Sequence, residues 1–240
     1  MNKLSVVVPA LDEEKVLRSS VERSLETLED MGFDHEIIIV EDGCTDRTTE
    51  IASELSEKYP EVKHVHRDDR QGKGRAIELG FERAEGEILA FYDADLSVDP
   101  RFLADGVERI EKGSDLVIGS RMLDKSTLED IWFRKVLRTI YSFYIRGMFG
   151  GELRDYQCGF KMFSAESYRK ISDSISSEGF FWDTEMIVRM RKNGFTVEEM
   201  PVRWVRKPDS KPGLITTGIS LLLKPLKMKK EFIFLDSGRE

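Results

Sequence analysis

Cysteine is scarce in this chain. Only Cys44 and Cys158 occur among 240 residues, and they form no CxxC pair. That disfavours a disulfide framework or a structural zinc site and suits a reducing cytoplasm. Long apolar runs are missing as well. A bilayer span needs about 20 consecutive apolar residues, and the longest candidate, Leu221-Leu222-Leu223, is broken by Lys224 and Pro225. The run Leu4–Val8 is too brief for a signal peptide and reads as a strand. The chain is expected not to cross a membrane, although it can lie on one. Positive charge is in deficit, with 37 Lys and Arg against 45 Asp and Glu and a net charge of −8. Proteins that bind nucleic acid by neutralising phosphates are usually basic, so no nucleic-acid partner is expected. What remains is a globular composition, 40% hydrophobic and 34% charged, sized for one large α/β domain or two small ones.

Periodicity predicts alternating strands and helices over residues 4–120. Strands are expected at Leu4–Val8, Glu36–Val40, Val62–His66, Glu87–Tyr92 and Asp115–Gly119. Helices are expected at Glu13–Asp30, Thr45–Lys58, Lys73–Ala84 and Pro100–Glu111. Such alternation implies a mostly parallel sheet with helices on both faces, whose ligands bind beyond the carboxyl ends of the strands. Three acidic clusters fall at those ends: Pro9 to Glu13, Glu41 to Asp46, and Asp93 to Asp95. Beyond residue 120, Ser126 and Glu129 form a capping box for a long aromatic helix reaching about Phe149. Further elements are expected over Asp155–Phe163, Phe181–Lys192, Thr196–Met200 and Val202–Arg206, followed by an amphipathic basic tail from Pro212.

Asp93-Ala94-Asp95 carries the sharpest chemical signal. Side chains two apart on an extended chain point the same way, so two carboxylates at a strand end can share one hard cation. Mg²⁺ and Mn²⁺ prefer such oxygen donors, completed by substrate phosphates. In Val40-Glu41-Asp42-Gly43-Cys44-Thr45-Asp46, Asp42 is placed to accept hydrogen bonds from a base or ribose, and Thr45 is the expected helix cap. Gln71-Gly72-Lys73-Gly74-Arg75 is a basic glycine loop suited to a phosphate, though without Walker spacing. Arg121, Arg134, Arg138, Arg206 and Lys211 are cations that, if grouped, could receive a second phosphate. Asp155, Asp183 and Glu185 are ambiguous when read alone.

Together these motifs resemble the family-2 inverting glycosyltransferases of the GT-A fold over residues 4–211. Val6-Val7-Val8-Pro9-Ala10-Leu11-Asp12-Glu13 is similar to the opening nucleotide-binding motif. Glu41-Asp42-Gly43-Cys44-Thr45-Asp46, Gly72-Lys73-Gly74 and Asp93-Ala94-Asp95 follow in the family's order. Asp155-Tyr156-Gln157-Cys158-Gly159-Phe160-Lys161 resembles the block of polyprenyl-phosphate sugar synthases, and Phe181-Trp182-Asp183-Thr184-Glu185 follows it. Gln157 through Lys161, and Ser97 after Asp95-Leu96, lean towards dolichyl-phosphate glucosyltransferases rather than mannose-type synthases. Two positions depart from the pattern. Arg138-Thr139 stands where the long helix usually carries Ser-Arg, and Glu41 replaces an Asp.

The resemblance implies a GT-A fold with a nucleotide-binding half over 1–120, an acceptor-binding half over 121–211 and a tail over 212–240. It implies that Pro9, Ala10, Glu13, Asp42, Lys73, Asp93 and Ala94 contact the nucleotide sugar. Asp93 and Asp95 would hold Mg²⁺ or Mn²⁺. Asp95 and Arg121 would carry the chemistry, and Arg121, Arg134, Arg206 and Lys211 the acceptor phosphate. The donor would be UDP-glucose or a related UDP-sugar, with GDP-mannose the alternative. The acceptor would be a polyprenyl or dolichyl phosphate, met at a peripheral membrane surface on the cytoplasmic side or through a membrane-anchoring partner, with oligomerisation open. A hydroxyl-acceptor transferase of the same family, a nucleotidyltransferase and a non-catalytic nucleotide-sugar binder are the competing readings.

Overall fold

The computed structural model describes residues 2–129, 132–205 and 214–237. Nine strands and eight α-helices follow the chain among these residues. The first part runs β1 (Leu4–Ala10), α1 (Leu17–Asp30), β2 (His35–Glu41), α2 (Thr48–Lys58), β3 (Val62–Val65), α3 (Lys73–Arg83), β4 (Ile88–Tyr92), α4 (Phe102–Glu111) and β5 (Leu116–Ser120). The second runs β6 (Thr127–Glu129), α5 (Trp132–Phe149), β7 (Phe160–Ser164), α6 (Ala165–Ile171), a 3-10 turn, α7 (Trp182–Lys192), β8 (Val197–Pro201), β9 (Arg203–Val205) and α8 (Leu214–Ser237).

Seven strands form one sheet in the order β3-β2-β1-β4-β7-β5-β8. All neighbours pair in parallel except β7, which runs against both β4 and β5. The near-continuous apolar runs of β1, β2 and β4 are what a sheet covered on both faces requires. Alternate residues feed two cores. Val6, Val8, Ile37, Ile39, Ala90 and Met162 pack with α1, α2 and α4 on one face. Val7, Ile38, Leu89, Phe91, Ile118 and Phe163 pack with α3, α6 and α7 on the other. The fold is the mixed α/β, mostly parallel architecture expected from the sequence.

β5 does not neighbour β4, because β7 from the second part lies between them. The details depart from expectation in two places. The capping box does not form a cap: Thr127–Glu129 is a short strand pairing in parallel with β9, and α5 begins at Trp132. A β-branched residue followed by Leu fits either state, and the partner strand decides. Thr45 does not cap α2, which begins at Thr48. The Asp46 carboxylate instead accepts from the Thr48 amide at 2.9 Å.

Phe163 stands in β7 against Phe81 and Tyr168, with edge-to-face ring centroids 5.5 and 5.6 Å away. Truncating a buried aromatic removes its transfer free energy and leaves a cavity, so Phe163→Ala is expected to destabilise by about 3–5 kcal/mol. Chemical denaturation would measure this as a fall in midpoint at unchanged slope.

Candidate active site

Strand direction assembles the site. β1, β2 and β4 are parallel and in register, so their carboxyl ends place Pro9 and Ala10, Glu41 and Asp42, and Asp93 along one rim. β7 is antiparallel, and its first residue, Phe160, pairs with Tyr92, the last of β4. The segment that leads into β7 therefore arrives at this rim. β5 ends beside it, delivering Arg121.

Asp93 lies just beyond β4, its side chain 41% exposed. Its amide donates to the Gly159 carbonyl at 3.2 Å, and its carboxylate accepts from Lys73 Nζ at 2.5 Å. A β-carbon placed on Gly159 would fall 1.8 Å from Asp93 Oδ2, so only glycine leaves this carboxylate its place. Asp95 is brought near Asp93 by a turn, not by strand alternation. The Leu96 amide donates to the Asp93 carbonyl at 3.0 Å, and Leu96 takes φ 48°. Asp95 accepts from the Ser97 amide at 2.9 Å and the Ser97 hydroxyl at 2.7 Å. Burial, joined by the charge of Asp93, raises the Asp95 pKa above the usual aspartate value. Two hard oxygen donors whose charges oppose each other, in a cradle that a side chain at position 159 would fill, fit a divalent cation.

Lys73 opens α3 and reaches back over the Phe91 ring, 5.3 Å from its centroid. Burial works to lower its pKa, but the charges of Asp93 and Asp183 outweigh it and hold the ammonium above the ordinary lysine range. The loop before it is pinned by Asp42, whose two oxygens accept from the Gln71 and Gly72 amides at 2.9 and 2.6 Å. Asp42 thus fixes the glycine loop against the end of β2. Gly72 has φ 108°, and a β-carbon there would lie 2.9 Å from the Glu178 carbonyl oxygen.

The turn after β1 is tied to the start of α2. Asp12 accepts from the Thr45 amide at 2.7 Å, and the Glu13 amide donates to Thr48 Oγ1 at 2.7 Å. Asp12, Cys44 and Asp46 bring ligand atoms within 4.8 Å of one another. Burial pushes the Cys44 thiol up to about 11, and both carboxylates accept bonds from backbone amides, so the cluster works as a fastening. Burial likewise pushes the Cys158 thiol up to about 12, leaving it protonated near neutrality.

Arg121 enters the rim as half of a buried ion pair. Its Nε and Nη2 donate to the two Asp155 oxygens at 2.6 and 2.8 Å. Burial alone would raise the Asp155 pKa, but the guanidinium outweighs it and holds the carboxyl below the usual range. Glu199 in β8 fixes the same segment by accepting from the Arg154 and Asp155 amides, both at 2.8 Å. The guanidinia of Arg121 and Arg138 lie 6.0 and 5.9 Å from the centroid of Trp204, within reach of cation–π attraction. Arg134 is half-buried in the first turn of α5. Arg206 and Lys211 lie outside the described residues.

Pro9, Ala10, Glu13, Asp42, Lys73, Asp93, Ala94, Asp95 and Arg121 therefore gather at one edge of the sheet. Sequence reasoning gave no role to Gly159, Lys161 or Trp204, nor to the contact between Glu41 and His66. Glu41 is fully buried at the end of β2 and hydrogen-bonds His66 Nδ1, while Asp68 binds the other ring nitrogen at 3.0 Å.

This mixed α/β sheet with an acidic carboxyl-terminal rim has the architecture of the GT-A fold. The family model "Glycosyl transferase family 2" matches residues 5–172, and the chain belongs to that family. It is 40% identical to glycosyltransferase AglD of Haloferax volcanii over 89% of this chain, which spans 35% of that protein's length. It is 32% identical to dolichyl-phosphate beta-glucosyltransferase ALG5D of Trichomonas vaginalis, over 91% of this chain and 72% of the relative. The human dolichyl-phosphate beta-glucosyltransferase is 31% identical, over 87% of this chain and 69% of its own. Glucosyl-3-phosphoglycerate synthase of Mycobacterium tuberculosis, solved with UDP, shares the fold at TM-score 0.65 and 24% identity, covering 93% of this chain and 80% of its own. Mannosyltransferase PcManGT of Pyrobaculum calidifontis, solved with GDP-Man and Mn²⁺, superposes at TM-score 0.60 and 17% identity, covering 87% of this chain and 58% of its own.

Gly159→Ala is expected to displace the Asp93 carboxylate and weaken divalent-ion binding, with Mn²⁺ as the probe, by about tenfold or more, read by titration calorimetry against a thermal melt that reports folding. His66 offers a pH test. Hydrogen bonds that it donates to the Glu41 and Asp68 carboxylates raise its pKa above 6.5. Its contribution to stability is therefore full below that value and is lost as pH rises through the raised folded value. Stability of wild type relative to His66→Gln should be greatest on the acid side and fade towards alkaline pH in denaturation curves.

Proposed function

We propose that this chain moves a hexose from a nucleotide-diphosphate sugar, UDP-glucose foremost, to a polyprenyl phosphate of the dolichyl type. The observation that carries the reading is the rim itself: Asp93 sits against bare Gly159 backbone with Lys73 at 2.5 Å, in a chain of family 2. Relatives that act on dolichyl phosphate with glucose support the acceptor and the sugar. A fold neighbour solved with Mn²⁺ and UDP supports a uridine nucleotide and a divalent ion.

Asp93 and Asp95 would hold Mg²⁺ or Mn²⁺, which when bound neutralises the departing diphosphate. Lys73, carried by the Asp42-pinned loop, adds a second positive charge on that side. Ala94 is buried between the two aspartates, and Pro9 and Ala10 at the end of β1, with Glu13 in the turn that follows, would border the nucleotide. The acceptor needs little activation. A phosphate monoester has its second pKa at about 6 and is anionic near neutrality. It can attack the anomeric carbon in line once Arg121, Arg134 and Arg138, beside Trp204, position it, with Arg206 and Lys211 as further cations. One displacement inverts the anomeric centre.

A lipid acceptor also accounts for the outer surface. α5 exposes Trp132, Phe133, Val136, Leu137, Ile140 and Phe143. α8 exposes Leu222, Leu223, Leu226 and Ile233 beside Lys227, Lys229 and Lys230. Among the described residues no helix is long and apolar enough to cross a membrane. Apolar and basic side chains together suit a peripheral contact with lipid headgroups.

The test is transfer of radiolabel to the organic phase, with purified protein, Mg²⁺ or Mn²⁺, polyprenyl phosphate and UDP-glucose, UDP-GlcNAc or GDP-mannose in turn. Label from UDP-glucose is expected to dominate, and Asp95→Asn should lower transfer by about a hundredfold or more. Arg134→Ala should act mainly on the acceptor KM. Undiminished transfer in Asp95→Asn with chelator present would remove the ion from the mechanism.

A further inference from the structure

Beside the rim lies a second pair of charges that the transfer just described does not use. Lys161 is the second residue of β7, opposite Phe91 and Ile118 in register, and is fully buried. Its Nζ donates to Asp183 Oδ1 at 2.5 Å and to the Cys158 carbonyl at 2.8 Å. Asp183 lies in the first turn of α7 and is 3% exposed. Lys161 and Lys73 lie 5.4 and 5.3 Å from the centroid of the same Phe91 ring. Asp93, Lys73, Asp183 and Lys161 thus form a chain of alternating charges from the rim into the core. Glu185, the next acid of α7, is held in the same way by Arg189 Nε at 2.8 Å.

A hydroxyl acceptor must lose its proton as it bonds to the anomeric carbon, and a positioned base accelerates this by about 10²–10⁴. A phosphate that arrives ionised needs no such base. We propose that Lys161 determines acceptor class: by holding Asp183 in a buried ion pair behind the rim it withholds the carboxylate at the start of α7 from service as a proton acceptor, and so confines transfer to ionised acceptors such as phosphate monoesters. The proposal rests on the polyprenyl-phosphate reading above. It assigns Lys161 a positioning role, since its ammonium touches Asp183 and not the substrate.

Water is the smallest hydroxyl acceptor and supplies the test. In hydrolysis of UDP-glucose the water oxygen bonds to the anomeric carbon. The bond from that carbon to the β-phosphate oxygen breaks, its electron pair leaves with UDP, and the water proton passes to Asp183. Wild type, Lys161→Met, Asp183→Asn and the double variant Lys161→Met/Asp183→Asn would be compared for UDP release without lipid and for transfer to polyprenyl phosphate. Lys161→Met is expected to raise the ratio of hydrolysis to transfer by about tenfold or more. The double variant, with both charges removed, should return the ratio to the wild-type level. An unchanged ratio in Lys161→Met, or a raised ratio that persists in the double variant, overturns the proposal.

Should Lys161→Met fail to fold, the double variant, which leaves no buried charge unpaired, decides. Retained transfer with wild-type donor affinity supports an inert Asp183, and lost transfer with donor affinity intact overturns it. Wild-type protein that hydrolyses UDP-glucose yet labels no polyprenyl phosphate sinks the acceptor reading instead. The variants' hydrolysis rates then still decide the role of Lys161.

Discussion

The carboxylate of Asp93 is confined between an ammonium and a stretch of bare backbone, and the geometry of the rim depends on that confinement. Lys73 closes one side at 2.5 Å and Gly159 the other, where a single methyl group would collide with Oδ2. Neither neighbour is local in sequence. Lys73 is presented by a helix start that Asp42 pins from β2. Gly159 is presented because β7 runs backwards beside β4, so that its beginning meets the other strand's end. A parallel β7 would have carried Gly159 to the opposite edge of the sheet.

Charge inside this acidic protein is arranged in matched pairs. Arg121 with Asp155 and Lys161 with Asp183 are both removed from solvent and joined by short hydrogen bonds. Such pairs add little net stability compared with apolar packing, but losing one member is severe. Their value here is geometric. They fix the segment before β7 and the start of α7 beside the rim, where a displacement of about 1 Å would be felt in the chemistry.

Much of this was legible in the residues. β1, β2 and β4 announced themselves as apolar runs ended by polar clusters, and parallel neighbours put those clusters on one edge. Pro9, Asp42, Asp93 and Asp95 followed from that rule, and Lys73 from the basic glycine loop before α3. What stayed hidden required knowing which strand lies next to which. The sequence of β7 does not state its direction, so the nearness of Gly159 to Asp93 could not be read. Lys161 sits among apolar residues and looked like part of a motif, while its partner Asp183 lies on a later helix. The turn at Asp93–Leu96 looked like continued strand because no glycine or proline marks it; Leu96 itself adopts the positive φ. Ser126 and Glu129 had the spacing of a cap, but pairing with β9 overrode that local preference.

The place of β5 in the sheet carries a consequence for how the chain comes into being. Both of its neighbours, β7 and β8, are encoded after it. During synthesis Leu116–Ser120 emerges with no partner, and β4 keeps one edge unclaimed until Phe160–Ser164 follows. An apolar strand waiting in this way is a template for association with other chains. Maturation of the nascent protein is therefore gated by arrival of the very strand that completes its reaction centre, and interrupted translation products should be especially dependent on holdase chaperones.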